Sequence, residues 1–201
     1  MPEEPEERWR LFIALAIPEA QRAPLREAAA LLRRTVDAPV RWGADNAHLT
    51  LRFLGETANG RAEAVADALR ERVATLVPFT LRLEGAGCFP PRGPVQVAWA
   101  GVGGELAALD ALHLAAADTA VAAGFAPERR PFAPHLTLGR ARGRLTLSQG
   151  AAVRRALAEL ALPDAPFTVR EALLYRSELR PEGAVHTALA HAPLADALLE
   201  N

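Results

Sequence analysis

Four letters occur twice in this chain, as His48-Leu49-Thr50-Leu51 and His135-Leu136-Thr137-Leu138, 87 positions apart among 201 residues that include five histidines. Side chains two residues apart on a strand share a face. Each run therefore sets a histidine and a threonine on one side and two leucines on the other. That is the pattern of a half-buried strand whose polar side carries chemistry. A fold that brings the two runs together gathers two imidazoles and two hydroxyls around one small volume.

Other stretches recur at nearly the same displacement. Pro78-Phe79-Thr80-Leu81-Arg82 returns as Pro166-Phe167-Thr168-Val169-Arg170, 88 positions on, and Leu11-Phe12-Ile13-Ala14-Leu15 has a counterpart at Val95-Gln96-Val97-Ala98-Trp99, about 85 positions on. Three matches imply an internal duplication over about 9–87 and 95–175. The expected unit is one two-lobed domain over residues 1–201, with residues 1–7 a flexible tail. Periodicity and breakers give strands at 9–17, 40–42, 47–54 and 79–87 and helices at 19–36 and 60–77 in the first copy. Pro24 blurs the start of the first helix. The second copy gives strands at 95–101, 134–140 and 166–175 and helices at 105–123 and 148–161, the last capped by Ser148. A final strand at 185–191 joins one of the sheets. Strands alternating with helices in two similar halves read as an α+β fold. It is bilobal and pseudo-twofold, with two antiparallel-type sheets facing a central cleft and helices on the outer faces.

Composition narrows the chemistry. The formal net charge is −1, so the whole molecule is no magnet for polyanions and any anion site is local. All 23 basic residues are arginine, which leaves guanidinium as the charged phosphate ligand. One cysteine, Cys88, excludes an internal disulfide and a cysteine-only metal cluster. The start, Met1-Pro2-Glu3-Glu4, is acidic where a signal peptide is basic, and no apolar run nears the ~18 residues of a membrane span. The expectation is a cytoplasmic monomer away from membranes.

Histidine titrates near neutrality, so one of a pair can take a proton from water while the other gives one to a leaving oxygen. Thr50 and Thr137 supply hydroxyls for phosphate oxygens. Arg140, five residues after His135, is a candidate for the same phosphate. Strict alternation puts it on the wrong face, and Gly139 suggests a local bulge or a strand end that would free it from that pattern. Phe53 stands at the equivalent spot in the first copy, so the site is not symmetric.

Arg10-Leu11-Phe12-Ile13-Ala14, Val40-Arg41-Trp42, Asn46-Ala47-His48-Leu49-Thr50-Leu51-Arg52-Phe53-Leu54-Gly55, Pro78-Phe79-Thr80-Leu81, Phe89-Pro90, Arg130-Pro131-Phe132-Ala133-Pro134-His135-Leu136-Thr137-Leu138-Gly139-Arg140 and Tyr175-Arg176-Ser177-Glu178-Leu179 run over nearly the whole chain. As a set they resemble the two-histidine phosphoesterase superfamily, with its two His-x-Thr/Ser-x motifs. The closest resemblance is to the bacterial and archaeal RNA 2′,3′-cyclic phosphodiesterases, also called LigT-like, ThpR-like or 2′,5′-RNA ligases. The resemblance implies a hydrolase that uses neither metal nor cofactor and opens the 2′,3′-cyclic phosphate of an RNA end, such as that of a tRNA half, to a 2′-phosphate. Some such enzymes also join 2′,5′ linkages. Carried over, His48 is the proton donor to the departing O3′ and His135 the proton acceptor from water, while Thr50, Thr137 and Arg140 hold the phosphate.

Further candidates are weaker. Arg130, with Arg129, Arg142 and Arg144, forms a basic lip for RNA or a solvated surface. Phe53 and Phe132 are candidates for stacking on a base or are core. Arg52 and Arg41 are candidate phosphate neighbours. Trp42 and Trp99 read as core aromatics, and His113, His186 and His191 as structural or surface residues. Two alternatives stay open: a phosphodiesterase acting on a small nucleotide (ADP-ribose cyclic phosphate or a 2′,5′-oligoadenylate), and a non-catalytic module that binds RNA ends. A two-histidine metal site lacks a third ligand of telling spacing.

Overall fold

The computed structural model describes residues 7–180 and 183–195. The chain runs β1 (Arg8–Ala16), α1 (Glu19–Thr35), β2 (Val40–Trp42), β3 (His48–Ala58), a 3-10 turn (Asn59–Arg61), α2 (Ala62–Val73), β4 (Phe79–Phe89), β5 (Val97–Gly104), α3 (Leu106–Ala122), β6 (Leu136–Ala141), α4 (Leu147–Ala158), β7 (Phe167–Val169), β8 (Glu171–Arg180) and β9 (Gly183–Pro193). The strands form a four-stranded sheet of order β3-β1-β8-β9 and a five-stranded sheet of order β2-β6-β5-β4-β7, antiparallel at every pairing.

Alternation in the sequence decides which face of each sheet is wet. Leu11, Ile13 and Leu15 of β1 and Leu49 and Leu51 of β3 are buried, as are Leu136 and Leu138 of β6. They meet the apolar stripes of the helices: Leu25, Ala29 and Leu32 of α1, Val65, Leu69 and Val73 of α2, Leu109, Leu112 and Ala116 of α3, and Val153 and Leu157 of α4. Each such leucine removed from water stabilises the fold by about 2 kcal/mol. Helices α2 and α3 lie behind the four-stranded sheet, against β9 and β3, while α1 and α4 lie behind the five-stranded sheet, against β2, β6 and β4. The opposite faces of the sheets look into the cleft.

The helices of the two halves repeat in length. Both α1 and α3 have 17 residues, and both α2 and α4 have 12. The two sequence halves nevertheless do not form separate sheets. β2 pairs with β6, and β4 pairs with β5 and β7, so every ladder partner of these two first-half strands comes from the second half. In exchange, β8 of the second half pairs with β1.

Several boundaries differ from expectation. The strand expected at 166–175 is two: β7 belongs to one sheet and β8 to the other, and the chain changes sheets at Arg170, whose carbonyl accepts the Leu194 N–H at 2.8 Å. The expected helix at 60–77 is a 3-10 turn followed by a shorter α2. Helix α4 is capped by Thr146 rather than Ser148. The Thr146 hydroxyl accepts the Gln149 N–H at 3.2 Å and the Gln149 side chain accepts the Thr146 N–H at 3.0 Å, a complete capping box. Pro24 lies inside α1, in its second turn. Of the expected tail, residues 1–6 lie outside the described residues, and Glu7 is held by the Asn59 N–H at 2.9 Å. No helix among the described residues is long and apolar enough to cross a membrane.

Candidate active site

His48 opens β3, and His135 immediately precedes β6. Each ring is fixed in the same way. His48 Nδ1 lies 2.8 Å from the carbonyl of Asn46, and His135 Nδ1 lies 2.7 Å from the carbonyl of Ala133, two residues upstream in both cases. A carbonyl can only accept, so in both rings Nδ1 carries the hydrogen and Nε2 is the basic atom. The two rings thus present the same reactive nitrogen from strands of different sheets, and β3 and β6 approach each other across the cleft.

A bulge three residues after each histidine decides what else faces the cleft. In β6 the pairing steps from Ala98↔Gly139 to Trp99↔Thr137, which leaves Leu138 as the extra residue. In β3 it steps from Ile13↔Arg52 to Ala14↔Thr50, which leaves Leu51 extra. An inserted residue reverses the alternation beyond it. Arg140 therefore returns to the face of Thr137, and its Nη2 lies 3.5 Å from the threonine Oγ1. In the other sheet Phe53 takes the equivalent place, with its ring 6.1 Å from Phe12 and 57 % exposed. Gly139 contributes by closeness rather than by bulging. A Cβ there would stand 2.6 Å from the Trp42 ring, which faces it on β2.

Each histidine has an aromatic bed. His48 packs on Phe12 at 4.9 Å between ring centroids, with Tyr175 stacked behind Phe12 at 5.1 Å. Phe89 meets His135 edge-on at 4.9 Å and leans on Trp99 at 5.3 Å. Gly87 makes space for that indole, since a Cβ there would come within 2.5 Å of Trp99 Cζ2.

These surroundings disfavour charge on the rings. Burial pushes the His48 pKa down to about 4, with the charges of His186, Arg140 and His135 adding to the effect and the Asn46 carbonyl opposing it. Burial also holds His135 below its ordinary value, and Arg140 adds to this. Burial lowers the Arg140 pKa too, though a guanidinium stays charged. The free site therefore holds two neutral imidazoles beside one fixed cation.

Residues 18–181 match the 2'-5' RNA ligase superfamily. The chain belongs to that superfamily. An RNA 2′,3′-cyclic phosphodiesterase of Methanothermobacter thermautotrophicus is 31% identical over 179 residues, 89% of this chain and 95% of that protein. One of Geobacillus stearothermophilus is 35% identical over 145 residues, 71% of this chain; this chain spans less than half, 44%, of that protein's length. Among solved structures, E. coli LigT complexed with 3′-AMP has a TM-score of 0.68 and 26% identity, over 94% of this chain and all of that one. The fold of this superfamily member, two antiparallel sheets with four helices, is that of its LigT-like neighbours.

The remaining candidates fall into place residue by residue. Arg52 does not reach the cleft. The bulge at Leu51 turns it to the helix side, where its side chain is 5% exposed, pairs with Glu128 at 3.3 Å and donates to the Ala126 carbonyl. Phe132 has its ring face covered by His113, parallel at 3.9 Å, and the His113 Nδ1 in turn meets the Leu51 carbonyl at 2.9 Å. Arg129, Arg130, Arg142 and Arg144 are exposed. Trp42 is core, whereas Trp99 faces Thr137 across the ladder and is only half-buried.

His186 is the residue that sequence reasoning missed. Its ring meets His48 edge-on at 4.9 Å and Phe12 at 5.0 Å. Strands β9 and β3 are the two edges of one sheet, about 14 Å apart were it flat. The sheet coils enough to bring them together. The Asn46 side chain donates to the Ala184 carbonyl at 2.8 Å and fastens the β9 end over the loop before His48. A histidine at an alternating position in the last strand was the signal, and it meant nothing until that curl was known.

Proposed function

We propose that this chain hydrolyses the 2′,3′-cyclic phosphate at RNA 3′ ends to a 2′-phosphomonoester by metal-independent acid–base catalysis. The observation that carries the reading is the matched pair of Nδ1–carbonyl hydrogen bonds, which aims two Nε2 atoms into one cleft beside Arg140 and Thr137. His135 Nε2 takes a proton from water as its oxygen attacks phosphorus. The P–O3′ bond breaks on the opposite side, and His48 Nε2 protonates O3′. Thr50, Thr137 and Arg140 hold the non-bridging oxygens and carry the charge that develops on them. The free-state rings are neutral, and the phosphodiester anion raises the affinity of His48 for the proton it must deliver. Phe53, the exposed aromatic on the cleft face, stacks on the terminal base. When an RNA 5′-hydroxyl replaces water, the same motions form a 2′,5′ linkage, so ligation of RNA pieces such as tRNA halves is the companion reaction. Both histidines come from one polypeptide, so a monomer suffices for the reaction, and the cytoplasm is the proposed place of action.

The test is incubation with an oligoribonucleotide ending in a 2′,3′-cyclic phosphate, in excess chelator, with the product isomer identified. The expected product is the 2′-phosphate. A 3′-phosphate would reverse the leaving group, and no turnover would reject the activity.

A further inference from the structure

Arg41 and Arg140 are direct partners across the antiparallel β2·β6 pair. Directly opposed residues share a face, and like charges so placed destabilise a ladder. Arg140 faces the cleft through Thr137, so Arg41 faces it too, one strand further out. Among the described residues neither guanidinium has a carboxylate within ion-pair distance; Glu19, Glu84, Glu128 and Glu178 are taken by other arginines. Arg41 also lies at the cleft's end. Its Nη1 is 3.7 Å from where a Cβ would stand on Gly183, at the start of β9 in the other sheet. Two cations held side by side, one on the reacting phosphate and one at the rim, form a track for two anions.

We infer that Arg41 binds the backbone phosphate that precedes the terminal nucleotide, and so makes the site prefer an RNA chain to a free cyclic nucleotide. The inference rests on the hydrolytic reading above. An RNA 3′ end has one neighbouring phosphate, on its 5′ side, and it is the anion of that strand nearest to the reacting one. A free 2′,3′-cyclic mononucleotide has no group to place there. The competing use of Arg41 is to blunt an edge strand, for β2 is the outer strand of its sheet. Edge protection does not depend on the substrate, so the two uses separate in one measurement.

The experiment compares kcat/KM for a 2′,3′-cyclic-phosphate trinucleotide and for 2′,3′-cyclic AMP, in wild type, Arg41→Gln and Arg41→Glu. The ratio of trinucleotide to mononucleotide is expected to fall about tenfold in Arg41→Gln and further in Arg41→Glu. The change should sit mainly in KM, and the salt dependence of trinucleotide binding should become shallower by about 0.7 in log–log slope. An unchanged ratio, an equal loss on both substrates, or an Arg41→Glu no worse than Arg41→Gln overturns the inference. If wild type turns over neither substrate, the hydrolytic reading has failed, and Arg41 is judged by binding alone. Arg41→Gln must then weaken a 3′-phosphorylated trinucleotide more than it weakens 3′-AMP; equal weakening rejects the second phosphate site.

Discussion

His48 links the site to the stability of the whole protein, and acid exposes the link. The free imidazole titrates near 6.5, while the folded ring is pushed down to about 4 by burial and by its charged neighbours. Between those two values the unfolded chain binds a proton that the native protein refuses. Stability from this residue is therefore complete above 6.5, is lost as pH falls, and is gone near 4. At 1.36 kcal/mol per pH unit, the gap is worth about 3 kcal/mol. Replacing His48 with Gln removes the titrating group and leaves a neutral polar amide of similar length. Urea unfolding of both proteins at pH 7, 6, 5 and 4 should give curves of stability against pH that diverge. Wild type loses about 3 kcal/mol more than His48→Gln over that range. His135 and His186, also held low by burial, titrate in both proteins, so their contributions largely cancel. Parallel curves would mean that His48 titrates alike in both states, and the account of a desolvated, neutral ring in the free site would fail.

Four further outcomes can be checked. His48→Ala and His135→Ala should each lower turnover of a cyclic-phosphate oligonucleotide by ~10²–10⁴, and the double variant should be far less impaired than the product of the two; near-normal rates in either single variant would remove that histidine from the reaction. Arg52→Ala deletes a buried guanidinium with its bonds to Glu128 and the Ala126 carbonyl and should cost about 2 kcal/mol in urea unfolding, whereas a loss of RNA affinity at unchanged stability would return Arg52 to the substrate. Gly87→Ala drives a methyl into the Trp99 ring and should cost ~1–3 kcal/mol by thermal melting; a neutral result would show that the indole is free to move. Thr146→Ala removes the α4 cap and should cost about 1 kcal/mol, while Ser148→Ala should cost little; the reverse order would restore Ser148 as the cap.

The most legible parts of the chain were those decided by local pattern. The two His-Leu-Thr-Leu runs named the cleft-facing histidines and threonines because alternation holds over four residues. Alternation fails where a bulge intervenes. Gly139 hinted at one for Arg140, and the bulge is there, one residue earlier at Leu138. The matching bulge at Leu51 carries no glycine, so sequence alone leaves Arg52 a candidate phosphate neighbour, whereas its side chain lies behind the cleft face. The cap of α4 is legible in Thr146-Leu147-Ser148-Gln149, whose capping-box spacing outranks a serine two positions later. His186 and the change of sheet at Arg170 were not legible at all. Both depend on how a sheet coils and which edge a strand joins, and no short window of sequence encodes either.

The exchange of strands between halves also bears on how the protein is made. β2 and β4 leave the ribosome with their backbone donors and acceptors unanswered, because β5, β6 and β7 are still to be synthesised. β1, made before all of these strands, waits for β8 to acquire its second neighbour. Assembly is therefore governed by contacts distant along the chain, which fold slowly. A nascent chain stalled before residue 170 would carry both histidines and still lack the strands that close one wall of the cleft.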